Sequence, residues 1–189
     1  MNPKINIGEV RFSYLHVFSP RSSDGSEAKY SVSLIIPKSN TELVAKVKEA
    51  IRSAYEGGIG LYGGTLPPKG AWRNPLRDGD IEKPADEAYK DAYFVNATCK
   101  TPPGIVKPDP TGMSKFAKIT DEQELYSGCY GYASVNFFAF NRSGNKGVAC
   151  GLNNILKTRN GDFLGGRNSA DSDFDSLDIG PAPAEDDIF

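Results

Sequence analysis

The sequence predicts a mainly β protein: a five-stranded barrel with one helix, long loops and a disordered acidic C-terminal tail. Three observations carry that expectation. Short apolar runs alternate with polar residues at the two-residue period of a strand in several places along the chain. The 189 residues include 20 glycines and 13 prolines, above the usual ~12% for the two together, and such punctuation favours strands and turns over a helical bundle. Only one stretch has helical periodicity with start and stop signals at its ends.

The elements follow in order. In residues 9–18, Val10, Phe12, Tyr14, His16 and Phe18 are expected on one face of a strand. The polar run 19–28 turns the chain, and 29–36 alternates again with Tyr30, Val32, Leu34 and Ile36, completing a long hairpin that Pro37 closes. The helix spans 41–56. Ser39 and Glu42 fit a capping box, Leu43, Val47, Ala50, Ile51 and Ala54 form the apolar stripe, and Gly57 and Gly58 supply a left-handed stop. Lys46, Lys48 and Arg52 read as its solvated face. Residues 58–91 are a long irregular stretch dense in Gly, Pro and charge, of the kind that is usually functional or disordered. Strand character returns in 92–100, a Pro-rich excursion fills 101–127, and 129–140 is a second long strand. The turn at 142–147 leads back through 147–157 as a hairpin, and 158–167 closes the body. One helix, about five strands and long loops fit an OB-type barrel, which commonly binds oligonucleotides on one sheet face and the adjoining loops. The expected division is therefore a barrel domain, 1–167, and a tail, 168–189.

Charge supports that division. The net charge of −2 hides an asymmetry: residues 168–189 hold seven of the 24 acidic residues and no Lys or Arg. Residues 1–167 keep all 22 basic and 17 acidic residues, a net of +5. A basic body points to an anionic partner and an acidic tail to an interaction role. No run approaches the ~20 apolar residues of a membrane span, and the N-terminus lacks the apolar core of a signal peptide, so a cytoplasmic location without a membrane partner is expected. Cys99, Cys129 and Cys150 form no close pair and are expected as buried thiols without disulfides. With His16 the only histidine, a zinc site has no support.

Catalytic signatures are thin. No phosphate-binding GxxxxGK[ST] loop and no GxSxG elbow occurs. Asp78, Asp80 and Glu82 stand close together in DGDIE, and an alternative reading makes them metal ligands of a nuclease or junction-cleaving enzyme. A polar turn is the simpler reading, so no catalytic residue, metal or cofactor is expected. A third possibility, a virion structural protein, would make the aromatic faces subunit contacts.

The binding signal lies in 129–140. One face carries Cys129, Gly131, Ala133, Val135, Phe137 and Ala139, as a barrel interior requires. The other carries Tyr130, Tyr132, Ser134, Asn136, Phe138 and Phe140. Outward aromatics suit the stacking of bases, at roughly 1–3 kcal/mol each. Arg142 and Lys146 follow in the turn, Lys100 and Lys107 follow the neighbouring strand, and Lys157 and Arg159 end the last one, as phosphate contacts would require. Trp72, the only tryptophan, either stacks on a base beside Arg73, Lys69 and Arg77 or anchors its loop to the barrel.

The stretches AWRNPLRDGD (71–80), YSGCYGYASVNFFAFN (126–141), GNKGVACGLNNILK (144–157) and LGGR (164–167) carry a resemblance. They resemble the single-stranded DNA-binding proteins of tailed bacteriophages and prophages, a family first catalogued without a function. The resemblance covers most of the chain. It implies an OB fold, cooperative cover of single strands in phage DNA replication or recombination inside the bacterial host cell, and no catalysis. The end of the tail, Asp186, Asp187, Ile188 and Phe189, is similar to the C-terminal tip of bacterial single-strand-binding proteins, except that Ile188 stands where that tip has proline. Those four residues are expected to recruit replication or recombination proteins. A homo-oligomer, a dimer, and only weak binding of duplex DNA complete the expectations.

Overall fold

A computed structural model describes residues 4–22 and 25–165. Its elements are β1 (Lys4–Arg21), β2 (Lys29–Pro37), α1 (Thr41–Gly57), β3 (Leu76–Asp78), α2 (Gly79–Glu82), β4 (Ala92–Cys99), β5 (Gly104–Pro108), β6 (Phe116–Lys118), β7 (Tyr130–Arg142) and β8 (Asn145–Arg159). Strands β4, β2, β1, β7 and β8 are antiparallel neighbours in that order. A parallel pairing of Ala97 with Cys150 and of Thr98 with Gly151 joins β4 to β8 and closes the five-stranded barrel. Closure removes the free edges that an open sheet would expose. Strand β3 is added to β4, and the β5–β6 hairpin extends the far end of β8.

The barrel interior is built from alternate residues of the strands, with the alternation broken between Ile7 and Val10 in β1 and between Leu152 and Ile155 in β8. Ile7, Val10 and Phe12 meet Val32, Leu34 and Ile36, with Val95 and Ala97, Ala133, Val135 and Phe137, and Cys150, Leu152 and Ile155 completing the core. Helix α1 packs on it through Leu43, Val44, Val47, Ala50, Ile51 and Ala54. Burial of these side chains, roughly 1.5–3 kcal/mol for each large one, holds a helix that would be marginal alone. The turn between β7 and β8 places Ser143 at φ 50° and Gly144 at φ 82°. Two successive positive φ values are the signature of the tight hairpin turn whose twist matches its strands. All three cysteines are free thiols, Cys129 and Cys150 buried and Cys99 half-buried.

Several local expectations are corrected. Tyr14, expected on the strand face of Val10 and Phe12, leaves that buried face and stands 54% exposed at φ 45°. The β1–β2 register shifts between Ser13 and His16, so an irregularity breaks the alternation and Val17 becomes the buried residue instead. The helix cap is Asn40, whose side chain accepts from the Leu43 amide at 3.2 Å, not Ser39. Gly58 ends α1 at φ −83°, not left-handed. Its lack of a side chain has another cause, because a Cβ there would lie 2.4 Å from the Ala139 Cβ. The irregular stretch 58–91 contains β3, α2 and a short 3₁₀ turn at Glu87–Tyr89. That turn drives the Tyr89 ring edge-on into Phe94 at 5.1 Å, with its hydroxyl donating to Ser33 Oγ at 3.0 Å.

Candidate nucleic-acid interface

A cleft crosses the outer face of the barrel. Its first part, about 540 Å³, is lined by Phe140 and Ala149, by Asn96 and Thr98 of β4, and by Arg73, Arg77 and Glu82 of the covering segment. Its second part, about 480 Å³, is lined by Asn96, Thr98, Arg77 and Glu82 again, then by Ser31 and Ser33 of β2, Lys83 and Tyr14. The four shared residues make the two parts one channel across β8, β4, β2 and β1. Phe140 and Phe138 stand opposite Gly147 and Ala149 in the β7–β8 ladder, small partners that leave both rings half-buried rather than covered.

The segment before β3 is bolted along β8. The Arg73 amide donates to the Lys146 carbonyl at 2.9 Å, and the Val148 amide donates to the Arg73 carbonyl at 3.0 Å. A Cβ on Gly147 would fall 2.7 Å from the Arg73 carbonyl oxygen, so only glycine admits this approach. Arg73 itself is exposed on the cleft. Trp72 is half-buried and stacks on Tyr55, with ring centroids 4.6 Å apart and planes at 29°. Of the two readings of Trp72, this contact is that of an anchor. Lys146 is also occupied structurally, its ammonium donating to the Tyr62 carbonyl at 2.6 Å.

Cations rim the cleft. Lys83 lies 4.3 Å over the Tyr14 ring and donates to its hydroxyl at 3.3 Å, a cation–π contact that aims an exposed ring. Arg77 lies 5.1 Å over Phe94 and pairs with Glu82. At the barrel mouth Lys100 pairs with Glu27 at 2.7 Å. The hydrogen bond from Lys100 chiefly holds the Glu27 carboxyl below its usual range, with Lys29 and Arg142 also acting on it. Glu27 of the β1–β2 loop thus answers to three cations, Lys100 directly and Lys29 and Arg142 through their charge.

The carboxylates of 78–82 are engaged in structure. Asp78 caps α2 by accepting from the Asp80 amide at 3.0 Å, and Asp80 accepts from the Asp91 amide at 3.0 Å. Lys38 bridges Asp78 and Asp80 at 2.7 and 2.6 Å. The hydrogen bond from Lys38, then that from the Asp91 amide, holds the Asp80 carboxyl below its ordinary value. Among the described residues no three His, Cys, Asp or Glu side chains gather as a metal site.

The other end of β7 is a separate surface. At a rise of about 3.3 Å per residue, Tyr132 and Phe140 lie roughly 26 Å apart along the strand. Tyr130 is half-buried, with the Arg159 guanidinium 3.6 Å over its ring and Arg11 at 5.5 Å. Tyr132, 39% exposed, lines a groove of about 280 Å³ with Asn6, Val106, Phe116 and Leu156. Lys107 pairs with Glu124 on that side. The structure thus brings Phe140 and Arg73 to the cleft, with Phe138 on the same half of β7, while Lys100 and Arg142 line neither of its parts. Tyr130, Tyr132 and Lys107 belong to the opposite end, and Asp186, Asp187, Ile188 and Phe189 lie outside the described residues. Sequence reasoning missed Tyr14, Lys83, Asn96 and Thr98. Reading AYFVNATCK by alternate residues, as was done for β7, would have found Asn96 and Thr98; nothing in the pattern marks the irregularity that exposes Tyr14.

Fold and cleft together define an OB-type barrel with an open, cation-rimmed outer face. The model of the Enterobacter phage Enc34 single-stranded DNA-binding protein family matches residues 3–189, and the chain belongs to that family. Protein p50 of Acyrthosiphon pisum secondary endosymbiont phage 1 is 29% identical over 186 residues, covering 93% of this chain and 95% of that one. Among solved structures, the single-stranded DNA-binding protein of bacteriophage Enc34 in complex with ssDNA aligns with a TM-score of 0.73 at 21% identity, over 86% of this chain and 89% of that one. The single-stranded DNA-binding protein gp2.5 of bacteriophage T7 aligns with a TM-score of 0.59 at 13% identity, over 97% of this chain and all of that one. These likenesses show the shared barrel. The family is one of binding proteins, so the non-enzymatic reading stands and the nuclease alternative has no support from it. No helix among the described residues is long and apolar enough to cross a membrane.

Proposed function

We propose that this protein covers single-stranded DNA without strong sequence preference during phage DNA replication or recombination in the cytoplasm of the host cell. The observation that carries the reading is the continuous cleft over β8, β4, β2 and β1, with Phe140 near one end and Tyr14 at the other. Aromatic faces accept any base, which gives affinity without reading sequence. In this reading Arg73, Arg77 and Lys83 in the cleft, with Lys100 and Arg142 beyond it, meet phosphates, which position a strand and carry no sequence information. Trp72 serves that set by seating Arg73, and Lys146 by holding the same segment. Phe138 extends the platform, while Tyr130, Tyr132 and Lys107 offer a second contact surface at the far end of β7. Duplex DNA buries its base faces and is bound weakly. The family membership and the ssDNA complex of the Enc34 protein support the same assignment.

The finer parts of the reading rest on the sequence. Residues 1–167 form the binding domain, the chain acts as a homo-oligomer, a dimer, and residues 168–189 form an acidic tail. Asp186, Asp187, Ile188 and Phe189 recruit replication or recombination proteins. Titration of a fluorescent oligothymidine and a matched duplex at two salt concentrations tests the central claim. Tight single-strand binding, weak duplex binding and a log–log salt slope of up to about −3.5 for five phosphate contacts are expected. Equal affinity for both forms, or Mg²⁺-dependent cleavage of the strand, would overturn it.

A further inference from the structure

A cavity of about 780 Å³ lies beyond Tyr14 and outside the cleft. Its walls are β1 past the register shift, the segment 122–127 and the closing segment 163–165. Tyr14 lines both this cavity and the cleft, so the two meet across one exposed ring. Three more aromatic side chains, Phe18, Tyr126 and Phe163, face the cavity with Arg21 and His16. Phe163 is 54% exposed although the chain around it is pinned. Arg11 donates to the Asp162 carbonyl at 2.8 Å, and the Leu164 amide donates to the Ser127 carbonyl at 2.8 Å. The Tyr126 ring, 6.0 Å from Phe163, is held by its hydroxyl on the Gly161 carbonyl at 2.9 Å. Four aromatic side chains, Tyr14, Phe18, Tyr126 and Phe163, thus line one open cavity, and a contiguous apolar patch of this kind marks a ligand groove where a single exposed ring would not.

We infer that the cavity is a second base subsite, taking a nucleobase of the same single strand after it passes Tyr14, with Arg21 on the adjoining phosphate. The inference rests on the single-strand reading and extends it. Asp86 and Glu122 on the cavity wall repel phosphate, which directs the base inward and the backbone toward the exposed Arg21. Tyr14 is the pivot: the shift in β1 register that exposes it also turns the strand path from the sheet face to the cavity.

A ladder of oligothymidines, roughly 4 to 16 nucleotides as OB-fold site sizes span, tests this with the full chain. Phe163→Ala is expected to leave the shortest bound oligonucleotide within twofold of wild type and to weaken the longest by roughly tenfold, the loss of one stack. Arg21→Ala should likewise act only on long strands and flatten their salt slope by about 0.7. Phe163→Tyr should restore wild-type affinity, and 5-iodouridine strands should photocrosslink to the peptide containing Tyr126 or Phe163. Losses equal at every length, or none at any length, overturn the second subsite while leaving the cleft intact. Failure of the wild type to bind any strand would overturn the single-strand reading itself.

Discussion

Trp72→Ala separates the two roles open to the only tryptophan. In the structure its ring lies on Tyr55 and packs, half-buried, against the main core. Complete loss of a buried Trp side chain costs about 3–5 kcal/mol, so a half-buried one should cost about 2, and the stack on Tyr55 adds about 1. A total near 3 kcal/mol would lower the melting temperature by roughly 6–12 °C in a protein of this size. The effect on DNA should be smaller and indirect. Arg73 keeps its two main-chain bonds to β8 but loses the ring that seats its neighbour, so affinity at 25 °C should fall by a factor of about three to five. Trp72→Phe retains part of the stack and should recover most of both. Circular-dichroism melting and fluorescence anisotropy on the same samples measure the two quantities. An unchanged melting temperature with a tenfold or greater loss of affinity would refute the anchor argument and make Trp72 a direct base contact.

Phe140→Ala should weaken single-strand binding by roughly 1–3 kcal/mol with little change in melting temperature, and Tyr132→Ala by less, because Tyr132 lies at the other end of β7; anisotropy titration ranks the two. Asp80→Asn removes an ion pair with Lys38 without emptying the cleft, so strand affinity should stay within twofold of wild type by the same titration. The Asp80 carboxyl is held below its ordinary value, so its contribution to stability is present above about pH 4, the usual carboxylate range, and is lost as pH falls through the lower folded value. The acid fall of the melting temperature should accordingly be shallower in Asp80→Asn than in wild type. Deleting residues 168–189 removes seven acidic groups tethered to a body of net +5; single-strand affinity should rise, most at low salt where screening is weak, and unchanged or weaker binding there would reduce the tail to a linker.

The fold was legible because its main signals are local. The interior set of β7 could be read from alternation alone, as could that of β2, since β2 pairs with β4 without a break and the two register shifts between β7 and β8 put their extra residues in β8. The stripe of α1 was equally plain. What failed involved choices between neighbours: Asn40 over Ser39 as cap depends on which side chain the turn aims at the Leu43 amide, and Gly58 is required by a residue 81 positions away, Ala139. The short β3, β5 and β6 were invisible because strands of three to five residues exist only where a partner strand holds them.

The site was less legible than the fold for a related reason. A strand read from sequence has two faces but no neighbours, and an outward aromatic row looks like one platform. Closure of the barrel breaks that row. Near Phe140 the strand's companions are Gly147 and Ala149, with Arg73 laid alongside β8, and the ring opens on a cleft. Near Tyr130 the companion is Arg159, whose guanidinium covers the ring at 3.6 Å while pairing with Glu9 at 2.7 Å. The two environments follow from β8 carrying small residues at its start and cations at its end, and that difference matters only once the ladder sets Gly147 against Phe140 and Arg159 against Tyr130. The missed aromatic, Tyr14, obeys the same logic in reverse. Alternation assigns it to the face of Val10 and Phe12, and the register shift of β1 against β2 moves it to the junction of the cleft and the neighbouring cavity. Contacts with a flexible strand thus depend on where the barrel interrupts its own regularity, and a pattern search for regularity passes over such positions.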